Sequence, residues 1–268
     1  MLKKRDNPDG RMSLQDHLLE FRKRLMIAAL AIVLGSVAGW FLFDPVYEQL
    51  TSPIKLLQEE RGAGAIINLN YAGMTAAFSQ RLSIAIFVGF IVSSPVWLYQ
   101  LWAFIVPGLT RKEKWMSLAF IAAIVPLFLA GCWFGFITLP KAITILLGFT
   151  PDGAANLSEA SAYFKFVTRF IVVFGLAWLL PVFLVALNVA HVLSGKMMLS
   201  GWRPAVLLIF IAAAIITPTP DPFTMFLLAG PLIVLYFAAV IIALINDKRR
   251  SRQEPEWLHT SDDEASAL

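Results

Sequence analysis

The acidic side chains best placed to do chemistry lie in two short segments beside long apolar runs. Glu20 falls within HLLEFRKRL, and Glu113 ends SSPVWLYQLWAFIVPGLTRKE. A carboxylate accepts hydrogen bonds and pairs with cations. Each also has an ordinary structural interpretation. Glu20 precedes Arg24 by four residues, the spacing of an ion pair on a helix surface, and Glu113 follows Thr110 by three, the spacing of a capping box. The residues alone leave both interpretations open.

Residues suited to covalent or metal chemistry are sparse. His191 and Ser194 are the one tempting nucleophile pair, but nothing orients the histidine and no Gly-x-Ser-x-Gly turn surrounds the serine, so we predict loop residues. The single cysteine, Cys132, supports neither a disulfide framework nor a Cys-rich metal site. There is no G-x-x-x-x-G-K-[ST] phosphate-binding loop. We therefore predict no enzyme, no metal and no cofactor.

The elements that must position these residues are apolar helices. Hydrophobic residues make up 58% of the 268-residue chain and charged residues 15%, and the mean hydropathy is +0.72. This composition predicts an all-α polytopic membrane protein with six kinked spans. Pro218 and Pro220 shorten the fifth span, and we expect the fifth and sixth to be short. The predicted spans are 25–43, 82–106, 115–140, 170–190, 204–220 and 222–246.

Charge predicts the orientation of these spans. Sixteen of the 22 Lys and Arg residues lie on the side of the two termini, so the positive-inside rule places both termini in the cytoplasm. We divide the chain into a cytoplasmic segment with an amphipathic helix (1–24), a six-helix membrane domain (25–246) and a disordered cytoplasmic tail (247–268). The basic residues flank apolar runs, which favours contact with lipid over nucleic acid.

Two further groups of residues have structural explanations. Asp221 precedes Pro222, and an Asp at the N-cap followed by Pro is a common helix start. Tyr99, Trp102 and Phe104 have the composition of an aromatic belt at a membrane interface. Small residues spaced by four, as in GSVAG at 35–39 and GCWFG at 131–135, predict close helix packing within the bundle.

Several motifs in order connect the chain to a known family. They are HLLEFRKRL at 17–25, Ser52-Pro53-Ile54, SSPVWLYQLWAFIVPGLTRKE at 93–113, Phe174-Gly175 followed by Pro181, and TPTPDPFTMFLLAGPLIVLY at 217–236. Over residues 13–246 the chain resembles TatC, the multispanning receptor subunit of the twin-arginine protein translocase.

The resemblance implies a cytoplasmic site for signal peptides that carry consecutive arginines. Glu20 and Glu113 would be its carboxylates, and Phe104 would lie close to the peptide. A guanidinium makes paired hydrogen bonds to a carboxylate that an ammonium cannot reproduce, so Arg-Arg should be preferred to Lys-Lys. Arg22 would position the N-terminal helix and Pro53 would shape the outer loop. The other supporting residues would be Tyr99, Gln100, Trp102, Pro107 and Asp221.

The resemblance also implies partners and a location. The chain would assemble with single-span TatA-type or TatB-type subunits in the bacterial cytoplasmic membrane and export folded precursors using the proton-motive force. Leu179 and Phe237 stand where the family often has polar or acidic residues, so docking through a membrane-embedded acid is not expected here. The alternative function is a secondary transporter or channel for a small solute, against which the charge-poor spans count.

Overall fold

The chain folds almost entirely into helices. The computed structural model describes residues 14–61, 67–71, 73–105, 111–148, 156–216 and 222–251. Within these ranges lie ten helices and two four-residue strands. In chain order they are α1 (Leu14–Phe41), α2 (Phe43–Arg61), β1 (Ile67–Asn70), α3 (Ala76–Val92), α4 (Ser94–Ile105), α5 (Arg111–Gly148), β2 (Asn156–Glu159), α6 (Ala160–Ala177), α7 (Leu180–Val189), α8 (Gly195–Ser200), α9 (Trp202–Ile216) and α10 (Pro222–Ser251).

Four helical stretches are long and apolar enough to cross a membrane: Gln15–Phe41, Phe120–Leu146, Ala160–Val189 and Met225–Arg250. Helices α3 and α4 form a fifth candidate if the pair is one span bent by 59°. These features confirm an α-helical polytopic membrane protein. The count of six spans and the cytoplasmic termini stay predictions.

The bend between α3 and α4 follows from local sequence. Pro95 lies in the first turn of α4, where its missing N–H breaks no helical bond. The Ser93 N–H donates to Gly89 O at 3.0 Å and closes α3. Trp97 Nε1 then donates across the bend to Phe90 O at 2.9 Å. A side chain thus satisfies a carbonyl that the broken helix leaves without a partner.

Of the last two spans, both expected to be short, only the fifth is short. Helix α9 has 15 residues, or about 22 Å at 1.5 Å per residue, which is shorter than a hydrocarbon core of about 30 Å. The expectation of a short sixth span is wrong, because α10 has 30 residues. Pro231 lies inside α10 without ending it, and no helix breaker follows before the basic residues 248–250. Residues 247–251, which we assigned to the tail, are therefore helical.

The connections predicted as outer loops contain regular structure. The first holds α2 and β1. Strand β1 pairs in parallel with β2, from Ile67 opposite Asn156 to Asn70 opposite Glu159, a small departure from an all-α fold. Pro53 lies inside α2 and is buried, rather than in a loop.

The chain divides into two compact units, Met1–Leu176 and Ala177–Leu268. In the first unit α1 packs along α3 through small residues. A Cβ on Gly35 would lie 2.8 Å from Gly89 O, and one on Gly39 would lie 2.5 Å from Ala85 O. A Cβ on Gly89 would overlap Ser36. The prediction that the small residues at 35–39 pack within the bundle is confirmed.

Helices α5 and α6 make a second close contact in this unit. A Cβ on Gly135 would lie 2.9 Å from the Cβ of Phe174. Near the start of α6, Tyr163 Oη donates to Leu50 O at 2.7 Å and joins α6 to α2. The packing agrees with the second small-residue motif, at 131–135.

The second unit is fastened by a polar cluster beside α8. Asn188 is fully buried, and its Nδ2 donates to Leu193 O and to Asp247 Oδ1, both at 2.9 Å. Asp247 Oδ2 accepts from the N–H of Gly195 at 2.6 Å, and Asn246 Nδ2 donates to Asn188 Oδ1 at 2.8 Å. These bonds satisfy the buried amide and tie α10 to the ends of α7 and α8.

Candidate functional site

One face of the first turns of α1 meets α4. His17, Phe21 and Arg24 recur at spacings of four and three, which places them on the same side of a helix. The ring of His17 stacks on Phe104 with centroids 4.6 Å apart and planes 20° apart. Phe21 contacts the same ring at 5.1 Å with a 52° tilt. Phe104 therefore contacts two rings of α1.

Glu20 lies beside these rings and is held by one of its two oxygens. Arg24 donates to Glu20 Oε1 from Nε at 2.9 Å and from Nη2 at 2.5 Å. The ion pair predicted from the spacing is thus confirmed. The other oxygen, Oε2, is buried and has no hydrogen-bond partner within the described residues. A carboxylate with a buried, unsatisfied oxygen can accept a further donor.

Arg24 also connects the two helices. Its Nη1 donates to Gln100 Oε1 at 3.4 Å, a long hydrogen bond between α1 and α4. The Arg24 side chain is 24% exposed and that of Glu20 is 22% exposed. Both charges are therefore partly withdrawn from solvent, where electrostatic attraction is stronger than on an open surface. Gln100, predicted as a supporting residue, contacts the candidate site directly.

An apolar groove of about 230 Å³ continues from this polar cluster between α1 and α4. Apart from the ends of Arg24 and Gln100, its lining is apolar and largely aromatic: Phe21, Leu25, Ala28, Ile32, Phe90, Trp97, Leu101 and Phe104. An extended or helical apolar segment whose cationic end lies at Glu20 matches this distribution of chemistry.

Four other residues predicted to support the site lie on three different helices. Trp102 is buried and stacks on Phe120 of α5 at 4.8 Å, while Tyr99 is exposed on α4. Arg22 is exposed on α1 and makes no hydrogen bond or ion pair within the described residues. Pro53 lies on α2, away from the α1 and α4 face that forms the groove. The individual roles of these four residues stay predictions.

Some predicted residues fall outside what the structure describes. Pro107, Thr110 and Asp221 lie outside the described residues, and Glu113 belongs to the first turn of α5, with its side chain not described. The approach of Glu113 to Glu20 and the capping box at Thr110 therefore stay predictions.

Sequence reasoning missed His17 and Phe21 as neighbours of Phe104. The spacing shows that His17, Phe21 and Arg24 share one helical face, but it carries no information that this face meets Phe104. His191 and Ser194, the candidate nucleophile pair, have structural roles. Ser194 is the N-cap of α8, and its Oγ accepts from Met197 N at 3.2 Å. His191 lies in the preceding turn with a φ of 63°. Within the described ranges, no group of three or more His, Cys, Asp or Glu could hold a metal ion.

Comparison with known proteins gives one consistent result. Residues 16–231 match the family model described as Sec-independent protein translocase protein (TatC). A protein of that name from Xylanimonas cellulosilytica is 42% identical over 91% of this chain and 87% of its own length. One from Rothia mucilaginosa is 39% identical over 96% of this chain and 87% of its own.

A solved structure is similar as well. A crystal structure of the twin-arginine translocase receptor TatC is superposable with a TM-score of 0.72 at 32% identity, over 85% of this chain and 99% of the other.

Proposed function

Since the chain belongs to the TatC family of Sec-independent protein translocase proteins, we propose that the groove between α1 and α4 is its receptor site for twin-arginine signal peptides. The chain is a multispanning membrane subunit of this translocase. The solved relative is described as the twin-arginine translocase receptor, and the groove is where the described part of this chain best combines the chemistry that such a peptide requires.

The observation that carries the proposal is that the buried Oε2 of Glu20 has no hydrogen-bond partner among the described residues. Arg24 occupies Oε1 alone, so Oε2 can accept an N–H from an incoming guanidinium without breaking the existing pair. The partly buried charge of Glu20 attracts a cation, and an arginine can bond Oε2 with one N–H while its planar fork keeps four further donors for neighbouring acceptors. An ammonium offers a point charge without that geometry.

The groove provides for the rest of the peptide. A signal peptide has an apolar stretch after its basic region, and the apolar lining begins at Phe21 and Phe104 beside Glu20 and extends to Ile32 and Phe90. Glu113 is proposed as the second carboxylate, which would serve the second arginine. In this proposal each of the two consecutive arginines has one carboxylate to bind.

Site-specific photocrosslinking from position 104 in native membranes tests this proposal. The probe is a precursor with Arg-Arg, compared with the same precursor carrying Lys-Lys and with a Glu113→Ala variant of the receptor. We expect a crosslink with Arg-Arg that is lost with Lys-Lys and strongly reduced without Glu113. A crosslinker at Met74, which is fully exposed, is the matched control and should not label the precursor. Equal labelling of both precursors from position 104 would contradict the site.

The wider assembly is also proposed. Single-span TatA-type or TatB-type subunits would join this chain in the bacterial cytoplasmic membrane, with both termini cytoplasmic and the proton-motive force as the energy source. Leu179 is buried at the N-cap of α7, and Phe237 packs near Trp202 with centroids 6.5 Å apart. Neither position offers a carboxylate to a partner, so docking would use other surfaces. The comparisons support the translocase and not the small-solute transporter.

A further inference from the structure

A guanidinium lies between two aromatic rings at the end of α1 remote from Glu20. The Cζ of Arg81, in α3, is 5.0 Å from the ring centroid of Trp40 and 4.7 Å from that of Phe43. Both distances are within the range of cation–π attraction. The two rings attract the guanidinium, but they carry no net charge and do not neutralise it.

No anion in the described part of the chain pairs with Arg81. Arg24 pairs with Glu20 and Lys55 pairs with Glu48, and neither pair includes Arg81. Arg81 Nε is buried without a hydrogen-bond partner in the same residues. A cation that is partly withdrawn from water and has an unpaired donor costs free energy unless an anion or another acceptor binds it. The position therefore calls for an external anionic group.

An apolar groove of about 450 Å³ leads to the same place. It runs between α1 and α3 and is lined by Val33, Val37, Trp40, Phe41, Leu82 and Ile86. Trp40 thus belongs both to the groove and to the pair of rings around Arg81. The groove is open on the outer surface of the helices, since Val37 is 55% exposed and Phe41 is 78% exposed.

The depth of Arg81 agrees with a headgroup position. Twenty residues of α1 separate Glu20 from Trp40, which is about 30 Å of helix and equals the thickness of a hydrocarbon core. With Glu20 at one interface, Trp40 and Arg81 lie at the other. Trp and Arg at that level are typical of contact with lipid headgroups.

We propose that Arg81, Trp40 and the groove between α1 and α3 form a binding site for one phospholipid. The phosphodiester accepts hydrogen bonds from the Arg81 guanidinium, and an acyl chain lies in the groove along Val33 and Val37. Charge complementarity selects this occupant, because a free phosphate would leave the groove unused and an uncharged diacylglycerol would leave Arg81 unpaired. The site lies at the opposite end of α1 from the signal-peptide site and does not depend on it.

Lipid retention tests the proposal. The full-length protein is purified in mild detergent with phosphatidylglycerol added, and bound lipid is counted by native mass spectrometry as detergent exchange proceeds. We expect one retained phosphatidylglycerol per chain, with apparent affinity reduced about tenfold by Arg81→Gln, the loss expected for a charge-assisted hydrogen bond. Dioleoylglycerol and inorganic phosphate should each be retained far less.

Two further variants keep the result interpretable. Arg203→Gln removes another cation near an aromatic ring, 5.6 Å from Trp202, and should leave retention unchanged. Val37→Phe fills the groove without touching Arg81 and should also reduce retention. Equal loss in Arg203→Gln would mean general attraction to anionic lipid and would overturn the site. Equal retention of dioleoylglycerol, or unchanged retention in Arg81→Gln, would overturn it as well.

Discussion

At the residue scale, the central feature is a carboxylate with two separate tasks. Glu20 Oε1 holds Arg24, which reaches on to Gln100, and Oε2 stays unpartnered among the described residues. The helix-surface pair and the receptor role were alternatives when only the spacing was known. The geometry makes them compatible, because the pair uses one oxygen and positions the other.

Replacing Glu20 by Gln tests this division. Glu20→Gln keeps an acceptor of similar shape but removes the charge, so we expect the Kd of a labelled Arg-Arg signal peptide to rise about tenfold. Fluorescence anisotropy on the purified protein measures it. The control, Glu48→Gln, removes an exposed carboxylate paired with Lys55 at 3.6 Å on α2 and should leave Kd unchanged. The same Kd in wild type and Glu20→Gln would remove Glu20 from the site.

At the element scale, the decisive contact is the close approach of α1 and α3. Gly35, Gly39 and Gly89 let the two backbones meet, and Ser36 occupies the space over Gly89. Because lipid tails are as apolar as the side chains, such close van der Waals contact is a main source of helix association in a membrane. The contact also sets the position of α1, on which Glu20 and Trp40 both depend.

Adding a methyl group at this contact should destabilise the first unit. We expect Gly89→Ala to cost about 1–3 kcal/mol, because its Cβ would overlap Ser36. The measurement is the temperature at which the monodisperse peak of the detergent-solubilised protein is lost. Gly230→Ala is the control, since a Cβ there meets nothing within 4 Å, and it should be neutral or stabilising through helix propensity. A Gly89→Ala protein as stable as wild type would contradict the packing.

At the scale of the whole molecule, the distribution of charge predicts orientation. The sixteen Lys and Arg residues on the side of the termini include those at the end of α10. The connection that holds α2 and β1 is predicted to lie on the other side, as is the proposed phospholipid site.

Cysteine labelling tests this orientation. Cys132 is buried and is the single cysteine of the chain, so Cys132→Ser provides a background for added cysteines. In intact cells we expect a membrane-impermeant maleimide to label Met74→Cys, whereas Arg249→Cys should be labelled only after permeabilisation. Both positions are exposed, so accessibility reports sidedness. The reverse pattern would invert the topology and place Glu20 on the outer face.

The sequence by itself determined the features that depend on residues close together along the chain. Runs of apolar residues predict membrane helices because no other open-chain structure satisfies backbone groups in lipid. Glu20 and Arg24 are four residues apart, so a helix alone brings them together. The small residues at 35–39 predicted close packing, and the ordered motifs identified the family.

Only the tertiary structure decided which helices meet. The stacking of His17 and Phe21 on Phe104, the bond from Arg24 to Gln100, and the placement of Arg81 between Trp40 and Phe43 each join residues distant in sequence. Local patterns carry no information on such contacts, because they depend on how neighbouring helices approach. The helix around Pro53 was also decided this way, since packing tolerates a proline that propensity alone would place at a helix end.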